Sequence, residues 1–100
     1  SLAFLRANVS RSVSLREAAR QASLSPSRFS AVFKEQTGVS PVDYHIRLRI
    51  QAAAQLLDTS NLSIKEIAAR LGYEDAYYFS RIFRKVTGFS PLAYRRSVKG

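Results

Sequence analysis

A sixteen-residue stretch of this chain occurs twice. FSAVFKEQTGVSPVDY, Phe29 to Tyr44, returns fifty positions later as FSRIFRKVTGFSPLAY, Phe79 to Tyr94, with Phe, Ser, Phe, Thr, Gly, Ser, Pro and Tyr identical in both. Upstream, SLREAARQAS from Ser14 pairs with SIKEIAARLG from Ser63 at an offset of forty-nine, so one residue, near Glu74, is added in the second copy. Self-similarity at a fixed spacing marks one supersecondary unit used repeatedly. With 100 residues, 46% of them apolar, the chain can bury two small cores and predicts two equivalent docking heads of modest stability.

The charge narrows the choice of partner. Sixteen Lys and Arg against seven Asp and Glu give a net charge of +9, which favours a polyanion, whereas a merely solvated basic surface is the plainer alternative. Without cysteine no disulfide or thiolate metal site can form, and the single histidine, His45, cannot build an imidazole one. Neither metal nor cofactor is expected. No apolar run approaches the roughly 18 residues of a membrane span, and the amino end SLAFLRANVSRS lacks the apolar centre of a signal peptide. The chain reads as soluble, with no membrane partner.

Start and stop signals predict seven helices and no strand, at about Leu2 to Val9, Leu15 to Ala22, Pro26 to Thr37, Pro41 to Leu57, Ile64 to Leu71, Ala76 to Thr87 and Pro91 to Ser97. Ser14 with Glu17 and Ser63 with Glu66 have capping-box spacing. Ser25-Pro26, Ser40-Pro41 and Ser90-Pro91 each set a capping hydroxyl before a proline whose missing N–H costs nothing at the first helical position. Asp75 takes the capping role in the second copy. Gly38, Gly72 and Gly88 follow apolar stripes, where a left-handed residue closes a helix; Ser23 replaces glycine at the position equivalent to Gly72. Each copy joins a helix of about eight residues to one of about twelve through a short turn, the pattern of a helix-turn-helix. The expected architecture is all-α, with lobe one at about 1–40, a linker helix at about 41–57 and lobe two at about 58–100.

The linker helix has two apolar stripes, Val42, Ile46, Ile50, Ala53, Leu56 and Leu57 on one side and Tyr44, Leu48 and Ala52 on the other, so both lobes can grip it. At ~1.5 Å per residue it spans roughly 25 Å. Arg49 falls on the first stripe, where a charge needs a partner; a structural hydrogen bond to a carboxylate or a helix end is expected over a contact with DNA.

In the sixth helix Phe79, Ile82, Phe83 and Val86 lie within about 60° of one direction and are expected in the core. Tyr77, Arg81 and Arg84 point the opposite way, with Ser80 beside them. Tyr77 and Arg81 sit in the part of a recognition helix that enters a major groove first, and Arg81 is the first choice for a forked hydrogen bond to guanine O6 and N7. Arg84, a turn later, suits a phosphate. Tyr78, on the flank, can pack on a neighbouring helix or touch DNA. The third helix buries Phe29, Val32 and Phe33 and turns out Ser27, Ser30, Ala31 and Lys34. Ala31 stands where Arg81 stands in the second copy and cannot fork onto guanine, so the first head should read sequence weakly, with Arg28 and Lys34 gripping phosphates.

SLREAAR followed by SPSRFSAVFKEQTGVSPVDY, and SIKEIAARLGYEDAYYFSRIFRKVTGFSPLAYRR, together resemble the DNA-binding domain of the AraC/XylS family of bacterial transcription regulators, from about Ser14 to Arg96. The resemblance implies two helix-turn-helix lobes on a long helix, with Pro26 to Thr37 and Ala76 to Thr87 entering successive major-groove segments of double-stranded DNA. It implies base-reading positions at Ser27, Ser30 and Ala31 in the first head and at Ala76, Tyr77, Ser80 and Arg81 in the second. It further implies a cytoplasmic, nucleoid-associated transcription factor, an activator with RNA polymerase as a second partner. Most relatives are about three times as long, so the chain is expected to be the monomeric DNA-binding part of a regulator whose companion domain binds an effector or dimerises.

Other function classes fit less well. One histidine, four scattered glycines and no phosphate-binding loop assemble no acid, base and nucleophile, so an enzyme is not expected. A basic helical module docking on an acidic protein or on RNA polymerase would explain the charge but not two polar outward helix faces. RNA is disfavoured because an A-form major groove does not admit a helix.

Overall fold

The computed structural model describes the backbone of residues 2–99 and the side chains of residues 2–97; Ser1 and Gly100, which the expected lobes include, lie outside the described residues. The described residues form seven helices and no strand: α1 Leu2–Ala7, α2 Leu15–Gln21, α3 Pro26–Thr37, α4 Pro41–Thr59, α5 Ile64–Arg70, α6 Ala76–Thr87 and α7 Pro91–Lys99. They divide into two compact units, Ser1–Leu48 and Arg49–Gly100, with the division inside α4.

In the first unit Leu5, Val13, Ala18, Ala19, Phe29 and Phe33 are buried together, flanked by half-buried Phe4, Leu15, Leu24, Tyr44 and Leu48. Phe29 and Phe33 lie 5.6 Å apart, and the Tyr44 ring meets Phe33 edge-on at 5.4 Å. The second unit repeats this wedge: Phe79 to Phe83 at 5.9 Å, and Tyr94 edge-on to Phe83 at 5.5 Å. Tilted and edge-on pairs match the ring quadrupoles. After each wedge the chain reverses by the same device. Thr37 Oγ1 donates to the Phe33 carbonyl at 2.8 Å and accepts from Val39 N–H at 3.3 Å, and Thr87 Oγ1 does the same with Phe83 and Phe89 at 2.9 and 3.1 Å.

Boundaries follow the local hydrogen bonding. The ends of α3 and α6 fall as expected between a capped start and a left-handed glycine, Gly38 at φ 83° and Gly88 at φ 87°. α4 runs past the expected Leu57 because no glycine closes it and the hydroxyls of Thr59 and Ser60 donate back to the carbonyls of Gln55 and Leu56, at 2.8 and 2.6 Å. α1 stops at Ala7, short of the expected Val9, where Asn8 Nδ2 donates to the Phe4 carbonyl at 2.8 Å. α2 and α5 each end one residue early, because Ala22 and Leu71 have left helical geometry while still donating to the last turn.

Three further expectations change. Val86 is 40% exposed and Val42 45% exposed, not core. Val86 sits in the last turn of α6 and Val42 in the first turn of α4, where little of the core lies opposite. The capping box forms fully only in the second copy, where Ser63 Oγ accepts from Glu66 N–H at 3.1 Å and Ser63 N–H donates to Glu66 Oε1 at 2.9 Å. In the first copy Ser14 Oγ accepts from Glu17 N–H at 3.1 Å, but the Glu17 carboxylate turns instead to a two-pronged pair with Arg11, at 3.0 and 2.6 Å.

The turn between the two helices of each copy needs one left-handed residue. Gly72 supplies it at φ 82°, and Ser23 adopts φ 59° in the first copy. A serine there carries a Cβ penalty of ~1–2 kcal/mol, partly offset by its smaller loss of chain entropy. Ser23→Gly is expected to stabilise the protein by about 0.5–1 kcal/mol, a rise of a few degrees in calorimetry.

The two capping glutamates differ in their electrostatics. Hydrogen bonding from Ser63 holds the Glu66 carboxyl below its ordinary value of 4.5, whereas hydrogen bonding from Arg11 does this for Glu17. Each stabilises the fold fully above the ordinary value, and that contribution is lost as pH falls through the lowered folded value. In an NMR titration, Arg11→Ala should return Glu17 towards the ordinary value and leave Glu66 where it was. Because the Arg11–Glu17 pair is exposed, added salt should weaken its effect.

Candidate nucleic-acid interface

In the second unit Asp75 opens α6, its Oδ1 accepting from Tyr77 N–H at 2.9 Å and Tyr78 N–H at 3.4 Å. Phe79 and Phe83 are fully buried and fix the rotation of the helix; Ile82 is half-buried beside them. The opposite face carries Tyr77, 73% exposed, with exposed Arg81 and Arg84; Ser80 lies half-buried at its edge, and Ala76, two turns before Phe83, is half-buried towards the core side. Tyr78 is exposed along one edge while its ring lies 6.3 Å from that of Tyr73, so it packs on its own unit.

In the first unit Ser25 Oγ accepts from Arg28 N–H at 3.2 Å and opens α3. Phe29 and Phe33 again set the rotation. Ser27, Arg28, Ala31 and Lys34 are exposed and Ser30 is half-buried. The outward face is thus Tyr77, Arg81 and Arg84 in α6 and Ser27, Ala31 and Lys34 in α3, with Ser80, Ser30 and Arg28 at its edges and Ala76 off it. The one ion pair among the described residues is Arg11–Glu17, so no described carboxylate neutralises Arg28, Lys34, Arg81 or Arg84. Their charge is available to an anion.

Arg49, 5% exposed on α4, takes the structural role expected of it, with a helix end as its partner. Its Nε and Nη2 both donate to the Leu71 carbonyl, at 3.0 and 2.7 Å, and its guanidinium carbon stands 4.0 Å from the centre of the Tyr73 ring. The carbonyl end of α5 and the ring face compensate the buried charge. Burial lowers the Arg49 pKa and raises that of the Tyr73 phenol, whose buried oxygen has no hydrogen-bond partner.

Sequence reasoning missed a second pair of anchors. His45 Nε2 lies 2.9 Å from the Asn8 carbonyl just past α1. Arg95 Nε and Nη2 donate to the carbonyls of Leu57 and Ser60 at the end of α4, at 3.1 and 3.3 Å. His45 and Arg95 are fifty apart, and Asn8 and Leu57 forty-nine, so the repeat offsets already paired them. No group of three or more His, Cys, Asp and Glu able to hold a metal occurs among the described residues, and no helix of theirs is long and apolar enough to cross a membrane.

A helix-turn-helix domain family matches residues 18–97. The chain is a DNA-binding domain of the AraC/XylS family. It is 39% identical over 97 residues to the MmsAB operon regulatory protein of Pseudomonas aeruginosa, which covers 97% of this chain and 32% of that protein. It is 40% identical over 77 residues to the arabinose operon regulatory protein of Escherichia coli, covering 77% of this chain and 26% of the relative. The AraC-type domain thus spans about a third or less of these relatives. Among solved structures, the DNA-binding domain of the global transcriptional factor AdpA, in complex with a target DNA, superposes with a TM-score of 0.92 at 30% identity, covering 98% of this chain and 88% of that one. The all-helical fold of the described residues is the one the chain shares with that AraC-type domain.

Asp75 satisfies two amides at the start of the exposed face of α6. Asp75→Ala should cost about 1 kcal/mol, seen as a lower urea midpoint with an unchanged slope.

Proposed function

We propose that this AraC-type domain binds a specific double-stranded DNA site as a monomer, with α3 and α6 entering successive major-groove segments about one turn, ~34 Å, apart. The observation that carries this reading is the outward face of α6. Tyr77, Arg81 and Arg84 stand exposed opposite buried Phe79 and Phe83, with no described carboxylate to neutralise them. Ala76, Tyr77, Ser80 and Arg81 read bases there, and Arg81 forks onto a guanine. In α3, Ser27, Ser30 and Ala31 face bases but discriminate little. Arg28, Lys34 and Arg84 hold phosphates and set the register.

The domain acts as part of a longer bacterial regulator whose companion region binds an effector or dimerises. Its place of work is the nucleoid in the cytoplasm, and its output is activation through RNA polymerase. Similar proteins described as transcriptional activators support that output. It performs no catalysis. A second reading, a basic module docking on an acidic protein or on polymerase, is favoured by exposed Val86, Phe89 and Leu92. Under that reading no duplex sequence is preferred over random DNA.

Selection from a random duplex library, followed by gel shifts on the selected and random duplexes, tests the proposal. Roughly 5–8 phosphate contacts predict a log-log salt slope of about −5 to −7, and a slope shallower than about −2 would leave the charge as mere solvated surface. Arg81→Ala should lose ~1–3 kcal/mol on the selected site and relax one base position. Lys34→Ala should weaken both duplexes alike and lower the slope by about one unit. An Arg81→Ala variant with the wild-type ratio of selected to random affinity would overturn the base-reading assignment.

A further inference from the structure

Arg49 touches neither helix of the second helix-turn-helix along its outward face, yet it holds the turn between them. Both of its hydrogen bonds end on the carbonyl of Leu71, the residue that closes α5 immediately before left-handed Gly72. The same guanidinium covers the ring of Tyr73, one residue past Gly72. Tyr73 is 8% exposed, and its ring passes the contact on to α6, at 5.3 Å from the Phe79 ring and 6.3 Å from the Tyr78 ring. A forked, planar cation thus fixes a backbone oxygen and an aromatic plane together. Lysine, a single point of charge, cannot do both.

Among the described residues no arginine stacks on a ring at the first copy's turn, where no aromatic is placed to receive one. Leu24 stands at the position of Tyr73, and Arg28 at that of Tyr78. The ring that receives the guanidinium therefore accompanies the head that carries Arg81 and is replaced by leucine in the head that carries Ala31. The buried Tyr73 oxygen, with no hydrogen-bond partner, shows that the ring is the part in use, since a phenylalanine would pack there without the orphaned group.

We infer that Arg49 is a positioning residue for DNA reading, setting the pose of α6 through the Leu71–Tyr73 turn so that Arg81 meets its base with both guanidinium prongs. The inference rests on the assignment of α6 as a reading helix. Forked contacts to base edges tolerate little displacement, whereas contacts to phosphates tolerate more. A loosened turn should therefore cost selectivity before it costs affinity for DNA at large.

The test compares wild type with Arg49→Lys, Tyr73→Leu and Tyr73→Phe on the selected and random duplexes, below the melting temperature of each variant as followed by circular dichroism. Arg49→Lys and Tyr73→Leu should lower affinity for the selected duplex roughly tenfold, the loss of one forked base contact, with random-duplex affinity and salt slope unchanged. Tyr73→Phe should retain the wild-type ratio. In an Arg81→Ala background, Arg49→Lys should reduce the ratio no further, because the contact it positions is already gone. If Arg49→Lys does not fold, the Tyr73 pair decides by the same ratio. Lower melting temperatures with an unchanged ratio, or equal losses on both duplexes, would make the clamp purely structural and overturn the inference. Should Arg81→Ala itself keep the wild-type ratio, the failure lies in the base-reading assignment, and the role of Arg49 stands or falls on the single variants.

Discussion

Everything outward in this domain depends on how two aromatic wedges seat two helices. Phe29 and Phe33 in α3, and Phe79 and Phe83 in α6, are buried at one-turn spacing, and the second ring of each pair meets an edge-on tyrosine, Tyr44 against Phe33 and Tyr94 against Phe83. A helix so anchored has one permitted rotation, because turning it would expose two phenyl rings, at a cost of several kcal/mol. The residues opposite the rings are therefore presented whatever their identity. That is why serines and an alanine can occupy the exposed face of α3 while tyrosine and arginines occupy that of α6, on the same scaffold.

The wedges set rotation, but the tilt of each second helix is set at the turn before it. There the copies differ. The first uses a serine in left-handed geometry, and its capping glutamate is drawn off to Arg11. The second uses glycine, a complete capping box, an aspartate with two amides and a buried arginine on the carbonyl of Leu71. More of the backbone polar groups around the second turn have side-chain partners, as the more demanding contact proposed for that head would require.

Much of this was legible in the sequence because punctuation and pattern agreed. A Ser-Pro start for α3, an aspartate cap for α6 and a glycine stop after each gave these helices their ends, and the repeat gave the helix-turn-helix pair and its family. The face of α6 was legible from periodicity, except at Val86, where a stripe continues past the end of the packing that would bury it. Periodicity reports direction around a helix, not whether anything lies opposite. Ends without glycine were misplaced, since hydroxyls at Thr59 and Ser60 extended α4 and the Asn8 amide closed α1 early. The stack of Arg49 on Tyr73 was not legible, because it joins residues twenty-four apart on different elements. That Arg49 would bond a helix end was expected from its apolar surroundings; which end was not.

Two near-identical cores in one polypeptide carry a hazard during folding, since a helix of one copy can be accepted by the cavity meant for its counterpart. The shared Phe, Thr, Gly, Pro and Tyr positions do nothing to prevent such an exchange. His45 and Arg95 differ, an imidazole against the carbonyl of Asn8 in one unit and a guanidinium spanning those of Leu57 and Ser60 in the other, and the two side chains are not interchangeable in length or donor geometry. Unlike anchors on otherwise duplicated parts are address labels in the physical sense, since a wrong assembly would leave one carbonyl or one cation without its match at the point where each unit closes.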